Sequence, residues 1–165
     1  MKNSILLALT LIALAGCASQ RLSDGEKSII IENFIASEKL ETRSTISAFN
    51  MDSWTSLSDQ YLILSTSPFR PYLLKLAMRC HNLNFSPTLI IDSAIPNSLT
   101  SGFDAIYTPD DQAFKCNISR IYPLSKEQNK ALISAVNPVA KDKPIEKPAT
   151  TEKDNEDNTP EPAAN

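Results

Sequence analysis

Three cysteines constrain this 165-residue chain more than any other feature, because one of them ends an apolar leader and leaves only two for everything that follows. Lys2 supplies a positive start, residues 5–14 are apolar except for Thr10, and the stretch closes on Leu14-Ala15-Gly16-Cys17. Small residues before a cleavage point let an extended backbone enter a peptidase cleft, and a cysteine directly after it offers a thiol for lipid attachment. This arrangement resembles a bacterial lipobox. It predicts a signal peptide over 1–16 and, on Cys17, a diacylglyceryl thioether with an N-acyl chain of the palmitate class. The apolar run is well short of the roughly 20 residues that a membrane-crossing helix needs. Acyl chains anchor instead, each buried methylene contributing about 0.8 kcal/mol. An ordinary secretory peptide with a chance cysteine is the alternative. Ala18 in place of Asp, by enterobacterial sorting rules, addresses the anchor to the periplasmic face of the outer membrane rather than the inner membrane.

Delivery to an oxidising compartment leaves Cys80 and Cys116 as the only remaining thiols, and the expectation is a disulfide between them. Neither sits in a Cys-x-x-Cys arrangement, so the bond reads as a structural staple rather than a redox catalyst. Two buried thiols are the alternative.

The ends of the chain divide naturally. Residues 17–22 form the lipid attachment and tether, 23–137 a single globular domain, and 138–165 a Pro-, Lys- and Glu-rich tail. The tail holds Pro138, Pro144, Pro148, Pro160 and Pro162, has no aromatic residue, and offers only Val139 and Ile145 as branched aliphatics. Such a stretch cannot offset its own ordering entropy and reads as disordered.

Within the body, Ser23-Asp24-Gly25-Glu26 marks a helix start, with Ile29, Ile30, Phe34 and Ile35 as its apolar stripe. Ile46 and Phe49 are the buried positions of a weakly alternating stretch, followed by a turn over 50–53. Residues 60–66 combine Tyr61, Leu62, Ile63 and Leu64 into a strand, which two prolines end. Over 72–80, strand period groups Tyr72, Leu74 and Leu76 and helix period groups Leu73, Leu76 and Ala77; the reading adopted is a strand at least to Leu76. Further strands are expected at 89–91, at 103–107, and from Phe114 through Cys116 and Ile118, with a phase slip near Arg120 that marks a bulge or the strand's end. A turn occupies 92–98. Ser125 and Gln128 form a capping box for a last helix burying Ala131, Leu132 and Val136. The fold class is α+β or mainly β, a small antiparallel or barrel-like sheet with a helix at each end and one disulfide.

Trp54, the Tyr72-Leu73-Leu74-Lys75-Leu76 run, Cys80 with Leu83, Phe103-Asp104, and Cys116-Asn117-Ile118-Ser119-Arg120-Ile121 together resemble an uncharacterised family of small proteobacterial lipoproteins, over residues 46–124. The resemblance implies a paired Cys80 and Cys116 and an exported, lipid-linked domain. It brings no substrate and no catalytic residue.

The chemistry that composition excludes is extensive. Sixteen basic against nineteen acidic side chains give a net charge of -3, which argues against a nucleic-acid partner. Three glycines form no phosphate-cradling loop, so no cofactor is expected. With His81 as the one histidine, neither a zinc set nor a Ser-His hydrolase constellation assembles, and Asp104, Asp110 and Asp111 lack calcium-loop spacing. Asp52, Asp59, Asp92 and Asp104 are the carboxylates from which a glycosidase pair would be drawn, and no spacing brings two together. Asp104, between aromatic and apolar neighbours, needs a partner, and Arg120 is the candidate. Trp54, Tyr72 and Phe69 read as core aromatics, with lining of a ligand groove as the other role. No catalytic or metal residue is assigned. The expectation is a non-enzymatic, outer-membrane-anchored periplasmic lipoprotein with a structural or interaction role toward an envelope protein or cell-wall component. Binding of a small hydrophobic or glycan ligand comes second and hydrolysis third.

Overall fold

A computed structural model describes residues 21–47 and 49–138; the lipid attachment expected at Cys17 and the expected tail beyond residue 138 lie outside them. Helix α1 (Asp24–Ser37) leads into strands β1 (Thr45–Ser47), β2 (Ser53–Ser56), β3 (Tyr61–Ser65) and β4 (Pro71–Leu76). A 3₁₀ turn at His81–Asn84 precedes β5 (Ile90–Asp92), β6 (Ser98–Thr100) and β7 (Ala105–Tyr107), and a second at Pro109–Asp111 precedes β8 (Cys116–Pro123) and helix α2 (Lys126–Val136). Six strands form one antiparallel sheet in the order β2-β3-β4-β8-β7-β5, and β1 pairs with β6 in a separate ribbon. The sheet curls into a half-barrel.

Curling follows from an apolar load on both faces of the central strands. Leu62 and Leu64 of β3, Tyr72, Leu74 and Leu76 of β4, and Ile118 and Ile121 of β8 pack on one face around Ile46 and Leu99 of the ribbon. Tyr61, Ile63, Leu73 and Tyr122 occupy the other, beneath Ile31, Leu132 and Val136 of the two helices. Helices cover the outer face; the sheet must wrap the ribbon to cover the inner one. Successive residues of a strand point to opposite faces, yet Ile118 and Ile121, three apart, share the inner cluster. The register shift between Lys75/Leu76 and Arg120/Ile118 explains this: Ser119 is the extra residue of a bulge, and its hydroxyl donates to the Lys75 carbonyl at 3.0 Å.

Both helices begin with reciprocal capping boxes, Ser23 with Glu26 and Ser125 with Gln128, as their sequences predict. Of the expected stripe of α1, Ile30, Phe34 and Ile35 pack against the core, while Ile29 is 63% exposed and Ile31 is fully buried in its place, in the cluster that holds Leu57 and Tyr61. In α2, Leu132 and Val136 are buried while Ala131 faces solvent. Two strands were not legible: β2 lies partly in the expected turn at 50–53, being Ser- and Thr-rich around one Trp, and β6 overlaps the expected turn at 92–98. β4 ends at Leu76, and β7 and β8 start at Ala105 and Cys116, so Phe103 and Phe114 precede their strands and stand 80% and 68% exposed.

One polar latch sits on the helix side. Glu32 of α1 accepts hydrogen bonds from Lys75 of β4 and from the Tyr61 hydroxyl of β3. Lys75, then Tyr61, hold the Glu32 carboxyl below its ordinary value, while burial and the neighbouring Glu32 push the Tyr61 hydroxyl up to about 12. A carboxyl lowered by folding contributes stability above its unfolded value near 4.5, and that contribution is lost as pH falls through the folded value. Urea midpoints at pH 7 are expected to be lower for Glu32→Gln than for the parent chain, and the difference is expected to close as pH drops below 4. A difference independent of pH contradicts the latch.

Candidate functional site

Cys80 and Cys116 are joined, with Cα atoms 6.4 Å apart and a sequence separation of 36. Closing a loop of this length stabilises by about 2–4 kcal/mol through loss of unfolded-state entropy. The bond ties the segment after β4 to the start of β8, across a position where β8 pairs with β7 rather than β4. The Cys80 amide donates to the Asp59 carbonyl at 2.6 Å, and the Asp59 carboxylate receives Arg79 at 3.6 Å, so the β2–β3 turn is pinned to the same corner.

Beside the disulfide lies a cavity of about 270 Å³. Its floor is the disulfide and Leu83, its walls are Tyr107 and Phe114, and Arg79, Asn82 and Asp111 supply the polar groups. Asn82 donates to Asp111 at 2.8 Å, which links the two 3₁₀ turns. Lys115 stands 5.8 Å from the centre of the Tyr107 ring and pairs with Asp92 at 2.7 Å. Thr108, also lining the cavity, has a buried hydroxyl without a hydrogen-bond partner among the described residues. The volume is at the small end for ligand sites, and apolar walls with a few polar groups suit a small, mainly apolar group.

The residues singled out in the sequence are distributed rather than gathered. Trp54 pairs with Leu64, which pairs with Tyr72, so the two aromatics share one cross-strand row on the inner face. Tyr72 is core, and Trp54 is half-buried against it beside a shallow cavity of about 320 Å³ lined also by Ser56, Asn84 and Ser86. Phe69 is apart from both, 74% exposed on the β3–β4 connection with the Lys126 ammonium 5.7 Å from its ring centre. No single groove unites the three.

Asp104 is 2% exposed and does have partners, but Arg120 is not one of them. Its oxygens accept the backbone amides of Ala94 at 2.9 Å and Thr100 at 2.6 Å, tying together both connections that flank β6. Arg120 pairs in register with Lys75, on the helix side of β8, and is exposed. Backbone amides of a turn are invisible to a search for complementary charge, which is why the pairing inferred from side chains fails. Of the carboxylates considered for hydrolysis, Asp59, Asp92 and Asp104 are all engaged in ion pairs or amide hydrogen bonds. Among the described residues no group of three or more His, Cys, Asp or Glu could hold a metal ion, and no helix is long and apolar enough to cross a membrane. The cavity residues Arg79, Asn82, Tyr107 and Thr108 carry no motif; their only signal is closeness in sequence to the cysteines or to the turn at Pro109–Asp111.

Residues 1–138 match the Family of unknown function (DUF6491), and the chain belongs to that family. No curated protein and no solved structure matches it.

Removing the Asp104 carboxylate strands two backbone amides, so Asp104→Ala is expected to lower unfolding free energy by about 2–4 kcal/mol in urea titrations. Asp104→Asn keeps one acceptor oxygen and is expected to cost less. Equal stability of the two variants contradicts the amide-holding role.

Proposed function

We propose that this protein is an exported lipoprotein, held through Cys17 on the periplasmic face of the outer membrane, whose half-barrel serves a non-enzymatic role by docking another envelope protein. Anchoring is supported by the Leu14-Ala15-Gly16-Cys17 leader and by the disulfide, which consumes the two other thiols and suits an oxidising space. The family match starts at residue 1 and so takes in the leader and Cys17, in keeping with the resemblance to small proteobacterial lipoproteins.

The observation that carries the partner reading is that four of the six phenylalanines are largely in water: Phe69, Phe85, Phe103 and Phe114 are 68–86% exposed. Scattered apolar side chains are normal on a surface, but aromatics dominate protein interfaces, and solvating this many without a return is costly. Phe114 edges the disulfide cavity, Phe85 caps the 3₁₀ turn that walls it, and Met78, 50% exposed, lies two residues before Cys80. The apolar 270 Å³ cavity favours a second reading, capture of a small hydrophobic ligand.

Intact-mass analysis of membrane-fraction protein is expected to show an amino terminus at Cys17 bearing acyl chains, and a two-hydrogen gain on reduction. Cys17→Ala is expected to leave the membrane fraction. Envelope cross-linking is expected to trap a partner protein that the Phe85→Ser/Phe114→Ser variant no longer reaches, with membrane association unchanged. An unmodified terminus starting elsewhere overturns the anchor, and cross-links indifferent to the Phe pair overturn the docking surface.

A further inference from the structure

Strand β2 is one edge of the six-stranded sheet, and the direction of its backbone polar groups follows from the two ladders beside it. The Leu57 amide donates to the Tyr61 carbonyl at 2.9 Å, so by the alternation of an antiparallel pair Thr55 and Ser53 also bond β3, opposite Ile63 and Ser65. The β3–β4 ladder agrees. There the Leu76 amide donates to the Gln60 carbonyl at 2.9 Å, which turns Leu62 and Leu64 toward β4 and leaves Tyr61, Ile63 and Ser65 for β2. The N–H and C=O groups of Trp54 and Ser56 therefore point out of the sheet. Among the described residues, the only atom of these two engaged outside the ladder is the Ser56 hydroxyl, which donates to the Ser58 carbonyl and to Asn84.

Natural sheet edges are blunted by Lys, Pro or inward-pointing charge, and Ser53–Ser56 has none of these. Beside this edge runs the cavity of about 320 Å³, which touches Trp54, Thr55 and Ser56 in succession. Neighbouring side chains of a strand lie on opposite faces, so a space that meets all three follows the backbone edge rather than either face. Asn84, Ser86 and Pro87 form its opposite wall. The Ser56 hydroxyl reaches Asn84 Oδ1 at 2.6 Å, and because Ser56 shares the inner face with Trp54, that bond lies beneath the edge and floors the slot.

We infer that this slot receives an extended segment of a partner polypeptide, which joins the sheet as a further strand by bonding the backbone groups of Trp54 and Ser56. Strand addition draws affinity from main-chain hydrogen bonds and selectivity from alternate side chains, and the Ser56–Asn84 floor suits small or hydroxyl-bearing ones. A single chain fits between edge and wall, whereas the β2 strand of a second copy would bring its own β3 to the place held by residues 84–87. The inference rests on the protein-docking reading and deepens it: Phe85 stands on the same wall, between Asn84 and Ser86, so a segment in the slot lies alongside that exposed ring.

The test selects random phage-displayed peptides on the full-length protein in nonionic detergent and titrates the selected peptide against it by amide NMR. Saturable binding is expected, with hydrogen exchange of the Trp54 and Ser56 amides slowed roughly tenfold or more and that of Thr55, already bonded to β3, little changed. Contact on a face of the sheet does not produce this alternation. Ser56→Pro removes one outward N–H without touching the β3 ladder and is expected to weaken binding by roughly tenfold or more, while Ser56→Ala, which loses the same hydroxyl, stays within about threefold of the parent. Pro87→Trp, at an exposed position, fills the slot from its far wall and is expected to weaken binding as Ser56→Pro does, which keeps the test decisive if the proline variant unfolds at lower urea. No selectable peptide, protection without alternation, or binding indifferent to Ser56→Pro and Pro87→Trp overturns the slot. Protection that rises with protein concentration in the absence of peptide assigns the edge to a second copy and overturns the partner segment. In envelope cross-linking, a partner lost on Phe85→Ser/Phe114→Ser but kept on Pro87→Trp overturns the slot and spares the Phe surface, and the converse supports the slot and overturns the Phe surface.

Discussion

Strands β3 and β4 carry large aliphatic and aromatic side chains on both faces, and the rest of the structure is a response to that. A sheet with one apolar face can leave the other to water; this one cannot. Helices α1 and α2 pack on the Tyr61, Ile63 and Leu73 side, and the inner side is closed by bending the sheet around the β1–β6 ribbon. The bulge at Ser119 belongs to the same response, since without the extra residue Ile118 and Ile121 would fall on opposite faces of β8.

The corner where β4 leaves the sheet and β8 enters it is held by covalent chemistry as well as by the short β7–β8 ladder. The Cys80–Cys116 bond, the Cys80 amide on Asp59 and the Asn82–Asp111 hydrogen bond organise short, irregular segments that could not bury their backbone groups alone. This is also where the small cavity and the exposed Phe85 and Phe114 occur. In a small domain, the staple permits loops at this corner to present apolar side chains outward without the corner unravelling.

What could be read from residue order was what depends on near neighbours. The capping boxes at Ser23 and Ser125 act over three residues, and the dense run at Tyr61, Leu62, Ile63 and Leu64 declares a strand, which the structure buries on both faces. Pairing of Cys80 with Cys116 followed from counting thiols. Signals failed where the deciding contact was distant or made by the backbone: Ile31 replaced Ile29 on the buried side of α1, Asp104 took amides instead of Arg120, and β2 and β6 were hidden by polar residues on short ribbon and edge strands.

The sequence by itself determined an apolar stretch running up to Cys17, an acidic proline-rich composition beyond residue 138, and a disulfide-stapled α+β domain, because each is a property of composition, spacing or a few adjacent residues. Only the tertiary structure decided that the sheet curls and that Phe103 and Phe114 face water. Those outcomes depend on how strands far apart in the chain come into register, and register is set by the summed burial of two faces rather than by any local pattern.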